Sequence, residues 1–158
     1  MMAVSAAQDM EERQDLQDQR DALSSIDWPE RPTVQSLGEA IGRLRGMRVV
    51  IAPIPEGIRS AEVNGLTVSV GSAAKVYYDP RLAPLNCTQT ILHELAHVLH
   101  GDVCAERSAA SYRTTFDTPQ ERRAELTATR LMLELNRRIR GSDLLDFLSG
   151  RAARAHRP

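Results

Sequence analysis

The hydrophobic positions of this 158-residue chain change period along its length, and each change predicts an element. Residues 1–31 are polar, and Met10, Leu16, Leu23 and Ile26 do not complete a stripe. They predict a loose helix or a partly disordered leader. Trp28-Pro29-Glu30-Arg31-Pro32 breaks whatever precedes it. Trp28, the single tryptophan, is placed to pin the leader to the domain. Val34, Leu37, Ile41 and Leu44 then recur on one helical face, opened by Thr33 as N-cap and closed by Gly46. No second helix follows, so this is not half of a helix-turn-helix.

The period next shortens to that of strands. Met47-Arg48-Val49-Val50-Ile51 is β-branched. After a loop at Pro53, Pro55 and Gly57, Leu66 to Val70 alternates apolar and polar residues, the mark of a half-buried strand. Lys75-Val76-Tyr77-Tyr78 follows a tight Gly71-Ser72 link, and Asp79-Pro80 closes the run. Three strands with tight links predict a small, mostly antiparallel sheet, whose edge could accept an extended peptide.

Helical spacing returns for the rest of the chain. Asn86-Cys87-Thr88-Gln89 has the form of a capping box, so a helix is expected from about 87 to 100, with Pro84 compatible with a start one turn earlier and Gly101 as its stop. Residues 101–117 read as a loop with a helical turn at most. Thr118-Pro119-Gln120-Glu121 opens another helix, running to about Arg140 with Ala124, Ala128, Leu131, Leu135 and Ile139 on one face, ended by Gly141. A short amphipathic helix is expected over 142–149. The expected organisation is a leader at 1–32, one α+β domain at 33–150 and a basic tail at 151–158.

Composition changes this picture little. Apolar residues are 42% and charged residues 26%, an ordinary globular balance. The net charge of −1 gives no general electrostatic case for nucleic acid or a membrane surface. No apolar run reaches the ~18–20 residues of a membrane span, and the N-terminus lacks the basic-then-apolar form of a secretory signal. Cys87 and Cys104 are expected as free thiols in a reducing compartment, hence a cytoplasmic protein.

The chemistry lies in His93-Glu94-Leu95-Ala96-His97. Residues four apart share a helix face, so His93 and His97 can offer two imidazoles to one ion. Glu94 sits about 100° round the helix, where it can take a proton from water without being a ligand. A hydrolytic zinc site needs a third protein ligand and an open position. His100, Glu121 and Glu125 are the candidates. One straight helix does not readily converge His93, His97 and His100. Glu121 is placed as the ligand, although a capping-box role competes for its carboxylate. Glu125, on the same face, is placed as acceptor for the far nitrogen of a ligand histidine. His100, Tyr112 and Arg113 are available as transition-state donors, with no ground for choosing among them.

His93-Glu94-Leu95-Ala96-His97-Val98-Leu99-His100 followed by Glu121-Arg122-Arg123-Ala124-Glu125-Leu126 resembles the ImmA/IrrE-type zinc metallopeptidases of the gluzincin group. The resemblance covers about residues 33–140. Glu125 departs from it, since that family more often shows Asn or Asp there. The resemblance implies a zincin-like α+β fold, metal binding by His93, His97 and Glu121, and Glu94 as general base. It also implies a protease of narrow specificity that cleaves a partner regulator, typically a helix-turn-helix repressor. A metal-binding regulatory or toxin-like module acting by association, with little proteolysis, is the alternative.

Overall fold

The computed structural model describes residues 2–102 and 118–149. Cys104, Tyr112, Arg113, most of the expected loop at 101–117 and the tail at 151–158 lie outside the described residues. Among these residues, four helices and three strands run in the order α1 (Met2–Ser24), α2 (Val34–Arg45), β1 (Arg48–Pro53), β2 (Gly65–Val70), β3 (Ala73–Tyr78), α3 (Pro84–His100) and α4 (Pro119–Leu148). A single 3-10 turn, Glu56–Ile58, lies between β1 and β2.

The polar leader is a helix that ends four residues before Trp28. Ile26 is buried, and Ala22, Leu23 and Trp28 pack against the main core. Arg138 of α4 lies 4.8 Å above the Trp28 ring, so this residue does tie the leader to the body. Thr33 caps α2 by accepting from Ser36 N, and Thr33 N in turn donates to Ser36 Oγ.

The sheet has the order β1-β3-β2, with β3 antiparallel to β2 but parallel to β1. It is mixed, where tight links predicted mostly antiparallel pairing. The cause is the connection after β1, whose eleven residues carry the chain across the sheet so that β2 forms the far edge. The hairpin then folds β3 back between them, and Gly71, at φ 60°, makes its turn. Leu37, Ile41, Val49, Val76, Leu92, Leu95 and Leu131 meet between the sheet and the helices as one core.

Two helix boundaries also differ from expectation. α3 starts at Pro84 with Ala83 as its cap residue, and no side chain caps it, so Asn86 is not the boundary. Proline at the first position omits an N–H that would have lacked a partner anyway. α4 passes through Gly141 to Leu148 as one helix. Gly46 and Gly101, which follow α2 and α3, adopt φ of 66° and 73°, the left-handed conformation that ends a helix. Gly141 does not. There, Ser142 Oγ donates to Glu30 O at 3.1 Å and Arg31 pairs with Asp146 at 2.7 Å, so contacts with the leader segment hold the helix together.

Candidate metal centre

α3 is buried on most of its circumference, because the sheet and α2 cover one side and α4 the other. Its histidines emerge toward α4. Thr118 Oγ1 accepts from Glu121 N at 3.2 Å, so the threonine caps α4 as its position predicts. This sets Glu121 in the first turn with its carboxylate facing His93 and His97.

Three side chains converge there. His93 Nε2 lies 3.1 Å from Glu121 Oε2 and 3.2 Å from His97 Nε2, and His97 Nε2 lies 3.4 Å from Glu121 Oε1. The imidazoles meet edge to face, 79° apart. Their ligand atoms fall within 4.8 Å of one another, and among the described residues this is the group of histidines, cysteines and carboxylates able to hold an ion.

The spacing fits a small cation. Ligand atoms at about 2.0–2.1 Å from a tetrahedral ion stand roughly 3.3 Å apart, which is the separation seen here. The donor chemistry agrees. Two neutral imidazole nitrogens facing each other can share only one proton, and a carboxylate beside them can only accept when ionised. An ion at their centre satisfies all three. His97 is 3% exposed, while the side chains of His93 and Glu121 are 24% and 19% exposed, so the group is anchored on the buried side and open on the other.

Around this group, His93 Nδ1 is 3.4 Å from Glu125 Oε2, which places the two residues side by side. Glu125 is exposed, so water competes for it. His100 is not part of the cluster. It lies one turn beyond His97, and its Nε2 meets Thr127 Oγ1 of α4 at 2.8 Å. Burial, then the nearby Arg123, lowers its pKa, which favours the neutral ring that such a contact suits.

Glu94, about 100° round the helix from His93, faces β2. It is buried and accepts a hydrogen bond from Thr67 Oγ1 at 2.7 Å. The alternation in β2 is therefore real but inverted. Gly65 and Thr67 take the buried face, while Leu66 and Val68 are half-buried and Val70 is exposed. The polar residue is inside because a carboxylate awaits it.

Asp102 was also not singled out by the sequence. Gly101 N donates to Val98 O and Asp102 N to His97 O, the paired bonds of a helix that ends on a left-handed residue. That reversal folds Asp102 back over the last turn. Its Oδ2 comes to 3.8 Å from His97 Nδ1, too far for a hydrogen bond but close for a charge. Arg123 of α4 holds the carboxylate with Nη2 at 2.8 and 2.9 Å from its two oxygens. A carboxylate just after a glycine stop, five residues past a ligand histidine, is the signal that would have found it.

No curated protein and no solved structure matches the chain. The model of the peptidase M78 family, described as the IrrE N-terminal-like domain, matches residues 45–137. The match spans more than half of the chain and takes in the sheet, α3, Glu94 and all three converging ligands. The chain therefore belongs to the IrrE N-terminal-like family of metallopeptidases.

Proposed function

We propose that the protein is a zinc-dependent endopeptidase of narrow specificity, acting in the cytoplasm on a partner regulatory protein such as a helix-turn-helix repressor. The observation that carries this reading is the convergence of His93, His97 and Glu121 around one ion-sized point, with the Glu94 carboxylate on the next residue of the same helix. Zinc is the default ion for two imidazoles and one carboxylate. A bound zinc would supply Lewis acidity, activating water near neutral pH and polarising a peptide carbonyl.

The chain's own groups account for the remaining steps. His93, His97 and Glu121 fix the point of reaction. Glu94 takes the proton of the attacking water and returns it to the leaving amine nitrogen. The partly open side of the group, at His93 and Glu121, is where a peptide can approach. The choice of a repressor as substrate is supported by the family resemblance. No helix among the described residues is long and apolar enough to cross a membrane, which is compatible with the compartment proposed.

The test is Glu94→Gln, which removes the base and keeps the shape. Zinc content and thermal stability should match wild type, while cleavage of a helix-turn-helix repressor encoded beside this gene should stop. A variant that still processes the repressor at the wild-type rate would remove hydrolysis by Glu94 from the account. Wild type that binds the repressor without cutting it would favour the association-only module.

A further inference from the structure

Glu94 is the proton carrier in the hydrolysis proposed for this site, and the role inferred here for its neighbour rests on that proposal. A glutamate side chain has several rotatable bonds, and a carboxylate next to a cluster of ligands can swing in and occupy the open position itself. Something has to hold it. The structure supplies a holder in two residues of β2.

Thr67 Oγ1 donates to Glu94 Oε2 at 2.7 Å, and each residue is 5% exposed. A hydrogen bond to a charged acceptor away from water is among the stronger ones. The hydroxyl is itself fixed in depth. Thr67 pairs with Val76 at the centre of the β2–β3 ladder, and Val76 is fully buried. Threonine is also stiff at its first torsion, so the donor is held without further partners.

Gly65 completes the arrangement two residues away on the same face. A Cβ there would stand 3.0 Å from Glu94 Oε1, 3.1 Å from Glu94 Cγ and 2.5 Å from Thr90 Cγ2. The strand meets α3 as bare backbone at 65 and as a hydroxyl at 67. A side chain at 65 would crowd Thr90 and the Glu94 side chain, so that one of them or the strand would have to shift.

We infer that Thr67 is a positioning residue for Glu94, its hydroxyl fixing the carboxylate in the orientation from which it works while Gly65 leaves the room this requires. The chemistry remains with Glu94.

The test uses the full-length, zinc-loaded protein as Thr67→Val, Thr67→Ser and wild type. Crystal structures report where the Glu94 carboxylate lies. Turnover is measured on a peptide selected by wild-type cleavage from a proteome-derived peptide library. In Thr67→Val, zinc content should equal wild type, the carboxylate should leave its position, and kcat should fall roughly ten- to a hundredfold with KM within about twofold. Thr67→Ser, which keeps the donor, should restore both the position and most of kcat. A Thr67→Val protein with Glu94 in place, or with full kcat, overturns the inference, as does a Thr67→Ser protein as impaired as the valine variant. If wild type cleaves no member of the library, the hydrolytic reading fails, and the position of Glu94 in Thr67→Val alone then decides the role of Thr67.

Discussion

Arg123 and Asp102, on opposite sides of the α3–α4 interface, are joined through both oxygens of the carboxylate, at 2.8 and 2.9 Å from one guanidinium nitrogen. The same carboxylate faces His97 Nδ1. The pair thus fastens the helix carrying two ligands to the helix carrying the third, and it sets the charge behind one of them.

Asp102→Asn keeps the shape and removes the charge. It should lower zinc affinity about tenfold, read by competition with a chelator, because partners behind a ligand histidine commonly contribute that much. Affinity equal to wild type would show that His97 takes its orientation from elsewhere.

Gly65→Ala places a methyl against Thr90 and Glu94. Overpacking of this kind costs about 1–3 kcal/mol, to be seen in denaturant unfolding. Thr90→Ser removes the methyl at 2.5 Å, so the double variant should recover part of the loss. If the double variant is no better than Gly65→Ala, the contact with Thr90 is not the source.

Asp79, at the joint between β3 and α3, accepts from the Arg81 side chain and from its backbone N–H. These bonds, the side chain first, hold its pKa at about 2 against an ordinary 3.8. A depressed folded pKa contributes stability that is complete above the unfolded value and is lost as pH falls through the folded one. Wild type should therefore weaken between about pH 4 and 2, and Asp79→Asn should show a flatter profile across that window. Parallel melting curves of the two proteins over this range are the check.

Gln19 in α1 is fully buried, and neither its Oε1 nor its Nε2 has a hydrogen-bond partner among the described residues. A buried amide without partners costs about 1–3 kcal/mol on mutational scales. Gln19→Leu is expected to raise stability by an amount of that order in chemical unfolding. A loss of stability instead would mean that the amide is satisfied through ordered water.

The site was more legible in the sequence than the sheet was. His93, Glu94 and His97 are local, and helical periodicity alone places them on their faces. Glu121 could be reached because Thr118 and Pro119 mark where α4 begins. The mixed pairing of the sheet depends on which way an eleven-residue connection crosses, and nothing local records that direction. The burial of Thr67 depends on a glutamate 27 residues away, so hydropathy assigns the wrong face of β2 to the core. Gly141 has the local chemistry of a stop, but Glu30 and Arg31, far off in sequence, keep the helix going. In each case a long-range partner outweighed a local preference.

Of the three converging side chains, Glu121 comes from a different helix than His93 and His97. An ion bound at this point is then a reversible cross-link between α3 and α4. Binding to the folded chain alone stabilises it by an amount that grows with the logarithm of free ion concentration, about 2.7 kcal/mol at a hundredfold excess over Kd. The stability of the fold would thereby be coupled to metal supply: withholding the ion would loosen the packing of α3 on α4 as well as emptying the proposed site.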